Sequence, residues 1–231
     1  MARELIRRSL PSGRTARVVM SEITDGDVAA GDVTIGDPDD VSTDAQGRTR
    51  PWTSLYQVHG DGVVVVDAAG AHSGTRADAA VTSVVDAPLA IRVADCMPVA
   101  LLGDRSVGVA HAGWRGLGAG VVERTIEAMK ELDGTKPIAA VVGPHIGACC
   151  YEFGDADLDD LADRFGLSIR STTMDGRPAL DLSVALSGIL EGAGIPVTVD
   201  RACTSCDDRY WSFRATATAH RQAMVVWIEE G

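Results

Sequence analysis

The stretch SVGVAHAGWRGLGAG, residues 106–120, decides what kind of fold the chain can form. Its apolar run VGVA predicts a buried strand that ends at His111. The residues that follow place Arg115 in a turn between Gly113 and Gly116, and glycine permits the tight backbone of such a turn. Helical spacing begins directly afterwards, so the stretch predicts a strand, a glycine-rich turn and a helix in succession.

Further strands and helices are predicted on both sides of this stretch. Short apolar runs bounded by turn formers predict strands at VVVVDA, LAIRVAD, PVALLGD, PIAAVVGP, VTVD and AMVVWIEE. Helical spacing predicts helices over residues 118–132, 155–166 and 180–194. Residues 21–50 are rich in Asp, Gly and Thr and predict loops with short strands. Because no regular βαβ rhythm appears, we predict a single-domain α+β fold.

The composition excludes several classes of partner. The chain has 231 residues, which suits one large domain or two small ones. Its formal net charge of −12 argues against binding to nucleic acid or to an acidic membrane. No apolar run reaches the roughly 20 residues that span a bilayer. The first residues lack the apolar centre of a signal peptide, and the cysteine count, five, is odd. We therefore expect a cytoplasmic protein without a disulfide framework.

Three segments place a candidate metal ligand after an apolar run and before a turn former. SLYQVHGD contains His59, IRVADCMP contains Asp95 and Cys96, and VGVAHAGW contains His111. If these ends meet, two imidazoles and one thiolate form a catalytic zinc site with an open fourth position. The alternative is that the histidines are hydrogen-bonded structural residues and that Cys96 is a small core side chain. Asp95 is a candidate proton acceptor or ligand-orienting group, and also a candidate turn residue.

The glycine-rich turn has the features of a site for a small anion. Arg115 can donate two hydrogen bonds to a phosphate or carboxylate, and the N-terminus of the following helix favours negative charge. Gly113 and Gly116 leave backbone N–H groups free to contribute. Trp114 suits stacking on a flat ring, although a buried wedge explains it equally well. A second turn, GPHIGACCYE, carries His145 either towards the same pocket or only as a turn residue.

The remaining cysteines offer a rival metal site. Cys203 and Cys206 form a C-x-x-C motif, while Cys149 and Cys150 are adjacent. Four thiolates would make a closed structural zinc site, and the C-x-x-C motif alone could be redox active. Because adjacent cysteines are an unfavourable zinc arrangement, the sequence favours the His–Cys–His set.

Five motifs resemble a known family. QVHG, ADAAVT, VADCMPV, HAGWRG and GPHIGACCYE resemble, in order, the laccase-domain purine nucleoside phosphorylases, also called multicopper polyphenol oxidoreductase-like proteins. The resemblance is dense over residues 57–152. It implies an α+β fold in which mixed β-sheets pack together and are flanked by helices, and one zinc ion bound by His59, Cys96 and His111. It also implies phosphorolysis of adenosine, inosine and methylthioadenosine, with deamination of adenosine, so the expected partners are nucleoside and phosphate. Some bacterial relatives are linked to editing of peptidoglycan precursors, and an older assignment is copper-dependent oxidation of phenols.

The chain departs from the family pattern near both ends. The first 50 residues lack the family's arginine followed by Gly-Gly-x-Ser and its Asn-Arg stretch, and YWSFRATATAHRQ keeps Arg214 but loses the neighbouring arginine. A zinc enzyme acting on purine nucleosides is the first hypothesis, with Arg115 holding phosphate and Asp95 assisting deamination. A copper oxidase is the second, although five histidines are few for several copper centres. A non-enzymatic relative is the third.

Overall fold

The computed structural model describes residues 2–28 and 51–231. The strands are β1 Arg3–Ser9, β2 Thr15–Met20, β3 Thr53–Ser54, β4 Val63–Val65, β5 Ala79–Thr82, β6 Leu89–Val93, β7 Met97–Leu102, β8 Val107–Ala112, β9 Ala139–Val142, β10 Arg170–Thr172, β11 Pro178–Leu180, β12 Val197–Val199 and β13 Gln222–Glu229. The helices are α1 Trp114–Ala119, α2 Val121–Asp133, α3 Asp155–Phe165, α4 Leu182–Gly192 and α5 Phe213–Thr216. Within the described ranges, every helix is too short or too polar to cross a membrane.

Two sheets form the body of the molecule. One has five strands in the order β1-β2-β13-β6-β3, and the other has six in the order β12-β9-β7-β8-β5-β4. Both are mixed, because β3 runs parallel to β6 while β13 runs antiparallel to β6, and β12–β9 and β4–β5 are parallel pairs. Strands β10 and β11 form a separate small hairpin.

The six-stranded sheet is buried on both faces. Val107 and Val109 of β8 pack with the five-stranded sheet, whereas Ala110 and Ala112 pack with the helical layer. This layer contributes Leu117 of α1 together with residues of α2, α3 and α4. A strand covered on both faces needs apolar residues at successive positions, which is why these strands read as continuous apolar runs. The predicted α+β fold with packed mixed sheets and flanking helices is confirmed.

The structure corrects the predicted elements in three places. The single helix predicted over residues 118–132 is two helices, because Gly120 adopts a left-handed conformation at φ 97° between α1 and α2. The β1–β2 and β10–β11 hairpins were not predicted, because β1 carries several charged residues and β10 and β11 have only three residues each. Of the region predicted as loops, residues 21–28 form a short 3-10 turn at Ile23–Asp25 and coil, and residues 29–50 lie outside the described ranges.

Candidate functional site

The antiparallel pairing of β7 and β8 brings two of the three predicted metal ligands together. Pro98 of β7 pairs with His111 of β8, and Cys96 directly precedes β7. His111 shares a strand face with Val107 and Val109, since side chains alternate along a strand, so it lies at the edge of the space between the sheets.

The third ligand comes from a bend, not from the strand end that the sequence predicts. His59 has a left-handed backbone at φ 61° and lies beyond an isolated bridge between Tyr56 and Arg76. The side-chain donor atoms of His59, Cys96 and His111 all lie within 4.8 Å of one another. The distance from Cys96 Sγ to His59 Nε2 is 3.9 Å. His111 is buried, Cys96 is half-buried and His59 is exposed, so the group opens to solvent on one side.

A carboxylate that the sequence analysis did not single out holds this arrangement. Asp78 is fully buried, and its Oδ1 accepts a hydrogen bond from His111 Nδ1 at 2.8 Å. The same carboxylate accepts backbone N–H bonds from Val58, His59 and Gly60, at 3.1, 2.9 and 2.7 Å. Using Nδ1 in this way leaves Nε2 of His111 available to a metal ion. The sequence did carry a signal for Asp78, which is an acidic residue within the apolar motif ADAAVT. A charged side chain buried in such a motif requires polar partners.

The electrostatics favour a negatively charged sulfur at this site. Burial opposes ionisation of Cys96, but hydrogen bonds with His111 and His59 and their charges outweigh it and lower its pKa to about 6. Burial also opposes protonation of His111, yet its bonds to Asp78 and Cys96 raise its pKa to about 9. Burial opposes ionisation of Asp78, and the bonds from His111 and the backbone lower its pKa. The shifts therefore favour a thiolate beside an imidazolium, and a divalent cation would take the place of the proton.

A cavity of about 570 Å³ opens over the three ligands. Its lining includes three arginines and three aromatic side chains: Arg92, Arg214, Arg221, Tyr56, Tyr151 and Phe213. Burial raises the pKa of Tyr151, so its phenol keeps its proton at neutral pH. Of these six residues, the sequence analysis selected Arg214 alone. Tyr151 and Arg92 lie in the quoted segments GPHIGACCYE and IRVADCMP, where the histidine, cysteine and aspartate were the residues selected.

Asp95 lines the same cavity, but both of its carboxylate oxygens are already used. Oδ1 accepts the hydroxyl hydrogen bond of Thr204 at 2.7 Å, and Oδ2 accepts the backbone N–H of Arg214 at 2.6 Å. Asp95 also has a left-handed backbone at φ 91° immediately before Cys96. Its contacts therefore connect the Cys96 segment to two other parts of the cavity wall.

The segment predicted as a glycine-rich turn is the first turn of helix α1, with Gly113 as its N-cap, and it packs beneath the ligands. A Cβ at Gly113 would lie 3.1 Å from Cys96 Sγ, and one at Gly116 would lie 3.2 Å from the carbonyl oxygens of Gly60 and His111. Trp114 packs edge-to-face on Phe153 at 5.4 Å. Arg115 is exposed, and its guanidinium lies 4.1 Å from the centre of the Trp114 ring. The turn thus brings the backbone close to the ligands, while the Arg115 side chain lies along the surface.

His145 lies elsewhere. Its ring bonds to the carbonyl oxygen of Gly143 at 2.9 Å and to the hydroxyl of Ser183 at 2.8 Å. It borders a separate cavity of about 580 Å³ beside α4. His145 is not among the residues that line the cavity over the three metal ligands.

The sequence and the fold match a known family of proteins. The family described as multi-copper polyphenol oxidoreductase laccase matches residues 39–229, and the chain belongs to it. A Streptomyces coelicolor protein named purine nucleoside phosphorylase is 40% identical over 185 residues, covering 76% of this chain and 74% of that protein. A Mycobacterium tuberculosis protein with the same name is 36% identical over 188 residues, covering 79% of this chain and 74% of that protein.

Solved structures show the same fold. YlmD from Geobacillus stearothermophilus superimposes with a TM-score of 0.74 at 25% identity, covering 95% of this chain and 94% of that one. A Neisseria meningitidis protein described as family DUF152 gives a TM-score of 0.73 at 25% identity, covering 93% and 94%. The family and fold implied by the five sequence motifs are therefore confirmed.

Proposed function

We propose that the chain is a zinc-dependent purine nucleoside phosphorylase that also cleaves methylthioadenosine and deaminates adenosine. One observation carries the proposal: His59, Cys96 and His111 converge beneath a cavity of nucleoside size in a chain whose relatives are named purine nucleoside phosphorylase. Two imidazoles and one thiolate suit zinc and leave a fourth position for a ligand. Bound there, zinc would act as a Lewis acid and would lower the pKa of water.

Copper is the alternative metal, because a His–Cys–His set also binds copper. A multicopper oxidase needs several copper centres, and its copper ligands are mostly histidines. Two of the five histidines converge here, and His145 bonds to Gly143 and Ser183. The donor set therefore supports a single metal at this site more strongly than a cluster of coppers.

The cavity arginines are the groups we assign to phosphate. Arg92, Arg214 and Arg221 face one cavity whose carboxylate, Asp95, is already hydrogen-bonded. In a chain of net charge −12, such a local group of cations attracts a small anion. Arg115 was the sequence-based choice for phosphate, and its position over Trp114 at the surface makes it the weaker candidate.

The aromatic side chains are the groups we assign to the purine. The cavity volume of about 570 Å³ lies within the range of roughly 300–1,000 Å³ typical of small-molecule sites. Tyr151 and Phe213 offer ring faces for stacking, and the protonated phenol of Tyr151 offers a hydrogen-bond donor. In phosphorolysis the ribose C1′–purine bond breaks, a phosphate oxygen bonds to C1′, and the purine gains a proton. The products are ribose 1-phosphate and the free base.

Deamination consumes water and releases ammonia from the purine ring. The sequence analysis assigned Asp95 to proton transfer in this step. The bonds from Thr204 and from the Arg214 backbone favour a positioning role, in which Asp95 orients Arg214 beside the cavity. Its removal should therefore impair phosphorolysis as well as deamination.

The five cysteines have free thiols, which suits a reducing compartment, and we keep the cytoplasm as the proposed location.

Zinc-loaded protein incubated with adenosine, inosine or methylthioadenosine tests the proposal. Chromatography should detect free base that forms only with phosphate, and ammonia from adenosine that forms without it. Cys96→Ala should abolish both reactions, whereas Asp61→Asn, a change at an exposed ion pair with Arg124, should not. If no nucleoside turns over in protein shown to contain zinc, the assignment fails. Editing of peptidoglycan precursors or a non-enzymatic role then becomes the better hypothesis.

A further inference from the structure

The four cysteines that do not belong to the first site form a second cluster. Cys149, Cys150, Cys203 and Cys206 have sulfur atoms that all lie within 4.8 Å of one another. Cys206 Sγ is 3.2 Å from Cys150 Sγ and 3.8 Å from Cys149 Sγ. The sequence argument against this group, based on the adjacent pair, is not supported by the geometry, because both members of the pair reach Cys206.

Backbone hydrogen bonds hold the two turns that carry these cysteines. His145 and Cys203 form a parallel bridge, in which Thr204 N–H donates to the His145 carbonyl at 3.1 Å. Cys150 N–H closes one turn on Gly147, and Cys206 N–H closes the other on Cys203, both at 3.0 Å. Gly147 N–H also donates to Cys203 Sγ at 3.2 Å, a contact that stabilises a thiolate. The cluster is therefore set by the backbone.

The distances between the sulfur atoms fit coordination of one metal ion better than they fit a disulfide bond. Four sulfurs at about 2.3 Å from a tetrahedral zinc ion are about 3.8 Å apart. The distances from Cys206 Sγ to Cys150 Sγ and Cys149 Sγ, 3.2 and 3.8 Å, lie near this value. A disulfide requires about 2.05 Å and joins only two of the four. Four thiolates this close would repel one another, and a divalent cation removes that repulsion.

We propose that Cys149, Cys150, Cys203 and Cys206 form a closed structural site for one zinc ion. All four coordination positions are filled by protein sulfur, so this site has no open position for substrate. It differs in this respect from the His59–Cys96–His111 group, and it is a second metal site of a different kind.

The location of the cluster gives the second ion a role in shaping the cavity. Cys150 directly precedes Tyr151, which lines the cavity. Thr204 lies between Cys203 and Cys206, and its hydroxyl holds Asp95 beside Cys96. An ion that joins the two turns would fix both of these segments of the cavity wall.

Elemental analysis of protein purified without chelator tests the proposal. We expect about two zinc ions per chain in the wild type and about one in Cys206→Ser, with Ser205→Ala in the same turn as the matched control at about two. Cys96→Ala should also retain about one, and cobalt exchanged into it should give intense thiolate-to-cobalt charge transfer. This measurement does not depend on how Cys206→Ser folds, and it is independent of nucleoside turnover.

Two results would overturn the proposal. One is a Cys96→Ala protein that is folded by circular dichroism yet holds no zinc and gives no charge-transfer band with cobalt. The other is a disulfide between any two of the four cysteines, detected by mass spectrometry of freshly purified protein alkylated without reductant.

Discussion

Asp78→Asn is the substitution that tests how the first metal site is held. The wild-type carboxylate accepts from His111 Nδ1 and His59 N–H through Oδ1, and from Gly60 N–H through Oδ2. An amide has one accepting oxygen, so in either orientation its NH2 group faces at least one of these donors. We expect a loss of about 2 kcal/mol or more in the free energy of unfolding of the metal-free protein, since a buried donor is left unsatisfied.

Zinc affinity at the first site should fall as well. Removing a carboxylate that orients a histidine ligand typically costs about 10–100-fold in metal affinity, which corresponds to about 1.4–2.8 kcal/mol. Competition with a chromophoric chelator measures the affinity, and a Cys206→Ser background restricts the titration to the first site. Denaturant unfolding of the same protein in excess chelator gives the stability separately.

Asp61→Asn is the matched control, since Asp61 belongs to the same loop as His59 and pairs at the surface with Arg124 at 2.8 Å. An exposed ion pair contributes at most about 1 kcal/mol, so this variant should bind zinc like the wild type. If Asp78→Asn also binds zinc within about twofold of the wild type, the carboxylate does not orient His111 as we argue.

Three further perturbations probe neighbouring features. Gly113→Ala places a Cβ 3.1 Å from Cys96 Sγ, so the zinc affinity measured by chelator competition should fall about tenfold. The control Gly118→Ala, whose Cβ meets only an ordinary contact at 3.5 Å, should leave the affinity unchanged. Equal affinities in the two variants would contradict the packing argument. Burial lowers the pKa of His145 below 6.5, so the unfolded chain binds more protons and the free energy of unfolding should fall as pH drops below that value. In His145→Gln this part of the pH dependence should disappear from denaturant titrations, and its persistence would assign it to other groups. Arg115→Ala should leave the KM for phosphate within about threefold of the wild-type value, while Arg221→Ala should raise it about tenfold or more. The opposite order would make Arg115 the phosphate-binding residue.

The local sequence pattern was sufficient to predict the elements that the core covers on both faces. Strands β7, β8 and β9 were predicted because their runs are almost entirely apolar, and α4 because its spacing is helical. The β1 strand, RELIRRS, carries charges on an edge and gave no such signal. Its partner β2 pairs with β13, about 200 residues further along the chain, and that long-range pairing has no local signature.

In the candidate site, too, local features were predicted and long-range contacts were missed. His59, Cys96 and His111 were identified by residue type and by the five motifs, and the structure brings their donor atoms together. Asp78 was missed because its function depends on a contact with a residue 33 positions away. The sequence analysis placed the four cysteines behind the His–Cys–His set, because residue spacing does not reveal that the bridge between His145 and Cys203 joins the two turns.

The β7–β8 hairpin makes metal binding sensitive to the way in which two strands are aligned. His111 lies opposite Pro98, and a slip of one residue would turn its side chain to the helical face of the sheet. The connecting turn at residues 103–106 is at the other end of the hairpin, where Leu102 pairs with Val107. Length changes in that turn can therefore be absorbed without moving the ligands, whereas a single inserted residue between Val107 and His111 would separate the metal-binding face from its partners.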